Sequence, residues 1–239
     1  MQVLMIRHSR TPGNDARKYV GSTNQPLSDK GIQLAQEAFE VYAKEIRQPE
    51  MVYVTPLIRT QMTAKILFPD ARQVVVEDLR EMNFGVFEGR SADEMKDDPQ
   101  YKAWLDSMCK DRCPGGEKVD EFSERVCRAF AQLICGCGAE KQISSHKKMP
   151  VQEKVSEQIH EQTPDGGNGA DKPCSSDDMI VMVLHGGTIM SICEKYALPK
   201  CSFYDNFLTN CQGMMYDVTG GGDELKLING EKIIINGGN

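Results

Sequence analysis

Arg7-His8 ends a short apolar run, Val3 to Ile6, and His185-Gly186-Gly187-Thr188 ends another, Met179 to Leu184. A third run, Met51 to Val54, passes into Thr55 to Arg59. A guanidinium offers a planar fork of N–H groups that matches phosphoryl oxygens. An imidazole near several cations has its protonated form disfavoured, which leaves a ring nitrogen free to attack phosphorus near neutral pH. Gly186 and Gly187 let the backbone approach a ligand closely. Helix N-termini after residues 55 and 186 would add N–H donors and a partial positive charge. Each feature alone is ordinary. A lone histidine at a strand end is usually a satisfied polar residue, an arginine in a helix's first turn is usually a surface cation, and His-Gly-Gly is a loop signal. Their weight comes from falling at equivalent places after three apolar runs.

The elements that must position these groups follow from periodicity. Residues 3–6, 51–54, 73–79 ("QVVVEDL") and 179–184 ("MIVMVL") read as strands. Ile32, Ala35, Phe39, Tyr42 and Ile46 recur at helical spacing, with Ser28 as N-cap. Thr55 is expected to cap the next helix, with Pro56 in its first position. "SADE" (91–94) has capping-box spacing and opens a helix expected to carry Trp104 and Leu105. Val119, Phe122, Val126, Ala129 and Leu133 form another stripe, and "GGTIMSICEKYAL" is helical. "GMMYDVT" (213–219), "ELKLI" and "KIII" read as closing strands that include a hairpin, with Met214 and Met215 packing. Strands alternating with helices predict an α/β fold: a three-layer α/β/α sandwich with a mainly parallel central sheet. Ligands of such sheets bind beyond the carboxyl ends of the strands, where the two histidines and two arginines would meet.

One stretch breaks the alternation. Residues 136–178 are polar, contain Pro150, Pro164 and Pro173, and include "TPDGGNGADKPCSSDD". They read as a surface insertion, flexible in part, with a short helix over Glu153 to His160. His146 and His160 lie in it and are expected to be solvated.

The 239 residues are 40% apolar, enough for a sizeable core, and carry a net charge of −7. Bulk acidity argues against nucleic acid and anionic membranes as partners, while leaving room for a small anion held by local arginines. No apolar run reaches membrane-spanning length, and Val3 to Ile6 is too short for a signal-peptide core. A soluble cytoplasmic protein with reduced thiols is expected; the nine cysteines form no tight framework. Cys109 with Cys113, or Cys135 with Cys137, hint at zinc, but four well-spaced ligands cannot be assembled.

Five ordered segments resemble the histidine phosphatase superfamily, also called phosphoglycerate mutase-like. "RHSRTPGN" is similar to Arg-His-Gly-x-Thr-x-x-Asn through Arg7, His8, Thr11 and Asn14. "GSTNQPLSDKGIQLAQEA" resembles the following helix start, "VTPLIRTQMTA" the motif whose arginine falls on Arg59, and "LREMNFGVFEG" the acidic motif with Glu81. "PGGE" (114–117) and "VLHGGTI", with His185, complete the set. The family's glycine after the first histidine is Ser9 here, so a hydroxymethyl group must fit beside the phosphate or turn away.

The resemblance implies a single domain over 1–239 with a helical cap region at 90–135. It implies that His8 is the nucleophile, that Arg7, Arg59 and His185 hold phosphoryl oxygens, and that Glu81 is general acid and then base. Asn14, Ser9 and Gly186 would border the substrate. Without the family pattern, Glu81 reads equally well as an ion-pair partner of Arg80 or Arg7. No metal or cofactor is expected, because arginines supply the charge. The expected partner is a small phosphorylated substrate, and a homodimer is one assembly open to the chain. "NFGVFEG" resembles the phosphatase branch more than the mutase branch, whose motif has Tyr-Gly-x-Leu-x-Gly. The implied activity is a metal-independent phosphomonoesterase working through phosphohistidine. Substrates to consider are α-ribazole 5′-phosphate, sugar phosphates and phosphoglycerates. The alternatives are a phosphoglycerate-type mutase and a non-catalytic phosphate-binding module.

Overall fold

The computed structural model describes residues 1–136, 179–200 and 202–235. The expected surface insertion, its short helix, His146 and His160 therefore lie outside the described residues, apart from Gly136.

Six strands form one sheet: β1 (Gln2–Arg7), β2 (Met51–Val54), β3 (Arg72–Val75), β4 (Met179–Leu184), β5 (Gly213–Thr219) and β6 (Lys226–Ile233). Their order is β3-β2-β4-β1-β5-β6. The first four are mutually parallel, and β5 is antiparallel to both neighbours. The sheet is thus mixed, with β5 alone running against the rest.

Alternating side chains on β1 and β4 feed two cores. Leu4, Ile6, Val181 and Val183 point to one face and pack with Leu34, Ala38 and Tyr42 of α2 (Asp29–Glu45) and Leu67 of α3 (Ile58–Leu67). Val3, Met5, Met182 and Leu184 point to the other, against Phe122, Val126 and Phe130 of α6 (Val119–Ile134) and Ile189 and Ile192 of α7 (Gly186–Tyr196). Burial on both faces explains why these strands read as unbroken apolar runs. The layers are helix, sheet, helix.

Several boundaries differ from expectation for local reasons. The strand read over 73–79 ends at Val75. Val76 N–H donates to Val54 O at 2.8 Å, and Glu77–Leu79 then form a 3₁₀ turn. The single helix expected after Ser91 is two: α4 (Ala92–Met95) has the capping box, and Pro99 opens α5 (Pro99–Asp106), capped by Asp98. A proline lacks the N–H needed to extend the preceding helix. Trp104 is buried on α5 while Leu105 is exposed. α3 starts at Ile58 with Leu57 as N-cap, so Thr55 is not its cap. The Thr55 hydroxyl is occupied elsewhere, as described below. "ELKLI" and "KIII" contribute to one strand, β6, which forms the hairpin with β5.

The loop after β1 is clamped to the start of α2. Ser28 caps α2 by accepting from Gly31 N–H at 3.1 Å, and its own N–H donates to Arg10 O at 3.0 Å. The Ser9 hydroxyl donates to Gly31 O at 2.6 Å. A Cβ on Gly31 would lie 2.0 Å from Arg10 O, a backbone atom that cannot swing aside. Among the described residues no helix is long and apolar enough to cross a membrane.

Gly31→Ala must therefore push the loop off the helix. We expect a loss of roughly 2–4 kcal/mol, read as a lower urea midpoint with an unchanged slope. A midpoint equal to wild type would refute the clamp.

Candidate functional site

Register brings the histidines together. Arg7 stands opposite Leu184 in the parallel β1–β4 pair, and His8 N–H extends it by donating to Leu184 O at 2.9 Å. The next residues on the two strands, His8 and His185, are both buried, with ring centroids 5.2 Å apart at 65°. On the other side of β4, Val54 pairs with Val183. Thr55 thereby reaches His185, Oγ1 to Nε2, at 2.9 Å.

The contact to Ser9 indicates the His8 tautomer. His8 Nδ1 is 2.6 Å from Ser9 O, so Nδ1 carries the proton and Nε2 keeps its lone pair. Burial drives the His8 pKa well below the usual 6.5, reinforced by the charges of Arg59 and then Arg7. His185 is likewise lowered, by burial first and then Arg59, His8 and Arg7. Both rings are therefore neutral near pH 7. The Thr55–His185 bond can run either way; if the hydroxyl donates to Nε2, the ring's proton is on Nδ1. That atom and Arg7 Nε are buried without a hydrogen-bond partner among the described residues. Buried polar groups are rarely orphaned, and both belong to the expected anion site.

Arg59, on the first turn of α3, is fully buried. Its Nε donates to His8 Nε2 at 3.2 Å, and Nη1 and Nη2 donate to Thr23 O at 2.9 Å and Gly21 O at 2.7 Å. Burial lowers its pKa to about 10, against raising contributions from Glu81 and Glu88, so it stays charged at neutral pH. Arg7 Nη1 donates to Leu208 O at 2.6 Å, and its guanidinium lies 5.1 Å from the Phe207 ring centroid.

Glu81 is also buried and receives Met82 N–H at 3.0 Å and Gly187 N–H at 2.9 Å. Burial raises its pKa, although those two donors and Arg59 and Arg7 pull the other way. The ion pair with Arg80 considered from sequence does not form: Arg80 pairs with Glu77 and Asp78 instead. Gly187 allows this approach, since a Cβ there would lie 2.5 Å from Glu81 Oε1. A Cβ on Gly186 would lie 3.4 Å from the Arg7 guanidinium.

The structure thus gathers His8, His185, Arg7, Arg59 and Glu81, with Gly186 beside them. Asn14 lines the cavity that opens onto Arg7. Its Oδ1 accepts from Thr11 N–H at 3.1 Å, completing the capping box of α1 (Pro12–Asp15). Of the two readings open for Ser9, toward the phosphate or away from it, the structure shows the second. Ser9 is fully buried, and its hydroxyl turns to Gly31 O, so it orients the loop.

Sequence reasoning missed the supports. Glu88 accepts from the N–H groups of Gly21, Ser22 and Thr23 and from the Thr23 hydroxyl at 2.5 Å. It thereby fixes the two carbonyls that hold Arg59. Burial alone would raise the Glu88 pKa, but hydrogen bonds from Thr23, Phe84, Ser22 and Gly21 bring it below normal. Arg125 pairs with Glu117 and donates to Asp78 O and Arg80 O, while Glu117 accepts from Asn83 N–H. These bonds brace both ends of the turn that carries Glu81. Asn210 Nδ2 donates to His8 O at 2.8 Å. Glu88 and Glu117 sit inside the quoted "NFGVFEG" and "PGGE" segments. Nothing in the sequence marked Thr55, Arg125 or Asn210 for these partners.

Comparison with known proteins bears on the fold and the family. The chain is 32% identical over 142 residues to a protein of Yersinia pestis named a probable phosphoglycerate mutase GpmB; the match covers 56% of this chain and 63% of that protein. The chain thus spans less than two thirds of the length of the curated relatives it matches. The α-ribazole phosphatase of Shigella flexneri superposes with a TM-score of 0.66 at 23% identity, over 95% of this chain and 94% of that one. A mycobacterial glucosyl-3-phosphoglycerate phosphatase superposes with a TM-score of 0.67 at 21% identity, over 98% and 97%. Likenesses at these identities show a shared fold. Residues 3–149 match the family model described as histidine phosphatase superfamily (branch 1), more than half of the chain, and the protein belongs to that superfamily.

Proposed function

We propose that the protein is a metal-independent phosphomonoesterase that works through a phosphohistidine on His8. The observation that carries the reading is the pair of neutral, buried imidazoles at the ends of β1 and β4, set among two guanidinium groups. His8 Nε2 attacks phosphorus along a line opposite the ester oxygen. As the N–P bond forms, the P–O bond to the organic group breaks. Arg59 Nε, Arg7 Nε and His185 Nδ1–H donate to the three equatorial oxygens, where charge gathers in the transition state. Glu81 enters as the carboxylic acid and gives its proton to the leaving oxygen. In the second half, the Glu81 carboxylate takes a proton from water, the water oxygen attacks phosphorus, and the N–P bond breaks. Inorganic phosphate leaves and His8 recovers its lone pair.

The substrate we favour is a small phosphorylated metabolite. α-Ribazole 5′-phosphate comes first by motif similarity and by the Shigella flexneri neighbour's name; sugar phosphates and phosphoglycerates follow. The mutase reading is supported by the name of the Yersinia pestis relative. In that case the phosphoryl group would return to an organic hydroxyl rather than pass to water. A non-catalytic phosphate-binding module is the third reading, and the arrangement of His8, Glu81 and His185 weighs against it. A cytoplasmic location is part of the same proposal.

A nitrophenyl phosphate and a panel of phosphorylated metabolites test the reading. Turnover should survive EDTA and fall by roughly 10³-fold or more in His8→Ala, because the covalent route is gone. Brief exposure to radiolabelled ester, followed by an acid-free quench, should place label on the peptide containing His8. Label found only elsewhere would end the proposal. Transfer of label to an added acceptor alcohol, with little free phosphate, would favour the mutase.

The pKa directions fix the pH profile. The lowered His8 pKa means that protonation does not disable the nucleophile until well below pH 6.5. The raised Glu81 pKa keeps its acid form to a higher pH than a free carboxyl, and activity on esters with poor leaving groups should fall as pH rises past it. Glu81→Gln should abolish that limb and harm alkyl phosphates far more than nitrophenyl phosphate. An unchanged limb in this variant would remove Glu81 from the role.

A further inference from the structure

Glu81 lies on a stretch that regular structure does not hold. β3 ends at Val75, the 3₁₀ turn Glu77–Leu79 follows, and residues 80–84 belong to no helix or strand. The carboxyl is nevertheless buried, with one oxygen on Met82 N–H and the other on Gly187 N–H. Contacts from outside the segment must fix its backbone.

Arg125 and Glu117 supply most of them. Arg125, midway along α6, donates through Nη1 to Asp78 O at 2.8 Å and to Arg80 O at 3.1 Å. Its Nε and Nη2 form a fork onto Glu117 at 3.1 and 3.0 Å. Glu117 in turn grips both backbone groups of Asn83. Its Oε2 accepts from Asn83 N–H at 2.8 Å, and its own N–H donates to Asn83 O at 2.9 Å. Between the two carbonyls that Arg125 holds, Leu79 O accepts from the Thr188 hydroxyl of α7 at 3.3 Å. The loops on either side are closely interlocked: a Cβ on Gly116 would lie 2.3 Å from Asn83 O, and one on Gly85 would lie 2.1 Å from Pro114 O. The Arg125 side chain is 10% exposed. A guanidinium has enough donors in a fixed fork to reach a carboxylate and two carbonyls together. Apolar residues of the same volume often stabilise as well as a buried ion pair, so stability alone does not account for this one.

We propose that Glu117 and Arg125 are positioning residues for Glu81, which through the backbone at 78–80 and at 83 keep its carboxyl buried against Gly187 N–H and aimed at the leaving oxygen. The kinetic part rests on the reading of Glu81 as general acid, whereas the placement of the carboxyl does not. Charges acting on Glu81 come from two other elements, Arg59 of α3 and Arg7 of β1, and both favour its ionised form. Burial opposes them and prevails. When the backbone slackens, water reaches the carboxyl and its pKa falls toward that of an ordinary glutamate. The acid form is then lost at lower pH, and the proton is no longer delivered from the right place.

The experiment compares wild type, Arg125→Met and Arg125→Lys on an alkyl phosphate, whose leaving oxygen needs a proton, and on nitrophenyl phosphate, whose leaving group does not. The quantity is kcat/KM, which reports the first half of the reaction. Arg125→Met should lower it by roughly 10- to 100-fold on the alkyl ester, the scale of an ångström-sized misplacement, and by no more than about threefold on nitrophenyl phosphate. The falling limb of the alkyl pH profile should move to lower pH. Arg125→Lys keeps a charge opposite Glu117 and should recover part of the loss. Carboxyl NMR of isotopically labelled glutamate, with the Glu81 signal assigned by its loss in Glu81→Gln, should show Glu81 titrating at lower pH in Arg125→Met. If Arg125→Met lacks a cooperative urea transition, Glu117→Gln/Arg125→Met replaces it, since no buried charge is then left alone. Where Glu81→Gln removes the limb, equal losses on the two esters overturn the positioning. A Glu81 titration unmoved by the substitution overturns it in every case. A limb that survives Glu81→Gln sinks the general-acid reading, and no turnover of any ester sinks the phosphatase reading. In either event the carboxyl titration alone decides the positioning.

Discussion

The parallel pairing that sets Arg7 opposite Leu184 decides where the chemistry can occur. One residue of slip would turn each strand's core side chains to the wrong face. Val3 and Met5 would exchange cores with Leu4 and Ile6, and the helical layers on both sides would lose their contacts. Because burial pins the register so firmly, the residues that follow each strand have no choice of neighbour. His8 meets His185, and Thr55 meets His185 from the other flank. The hydrophobic effect thereby positions polar groups that have little reason of their own to gather.

Gathering them is costly. Two guanidinium groups are taken out of water, and each imidazole is placed where burial disfavours its cationic form. Buried charge is tolerated only when other groups replace the lost hydration. Arg59 receives that replacement from the carbonyls of Gly21 and Thr23, and Glu88 stiffens those carbonyls by accepting from five donors of the same loop. Glu81 adds a countercharge nearby, softened by its own raised pKa. The candidate site is therefore a layered arrangement in which its buried charged groups are held by backbone and the backbone is held by carboxylates.

This layering explains what could be read from the residues alone. Unbroken apolar runs such as "MIVMVL" announced buried parallel strands, and polar groups at their ends announced the pocket. The pattern of "RHSRTPGN" and "VLHGGTI" named the histidines. Contacts made across long sequence separations left no such trace. Thr55 read as a helix cap because its place before Pro56 fits that local rule, yet α3 starts three residues later and the Thr55 hydroxyl is shared among Leu57, Thr60 and the tertiary partner His185. The helix after Ser91 read as continuous because its capping box is strong, but Pro99 restarts it. Ser9 could be read either toward phosphate or away, and only the approach of Gly31 O decides it.

In the proposed phosphohistidine mechanism, neutral histidines also bear on turnover. If both imidazoles were protonated, two more positive charges would join Arg7 and Arg59 around the phosphate. Ground state, intermediate and product would then all be held more tightly, and uniform tightening does not lower the chemical barrier. A protonated His8 would also lack the lone pair that attacks. Burial avoids both outcomes with one physical effect, because the low-dielectric surroundings that strengthen each N–H donor toward the transition state are the same surroundings that expel the proton. His185 would then bind as a neutral donor. The charge opposing phosphate stays near that of the two arginines, partly offset by Glu81 whenever it is ionised. Under the proposed phosphatase reading, a site built this way favours charge that develops during transfer over charge already present in the product, which is the condition for releasing phosphate after each cycle.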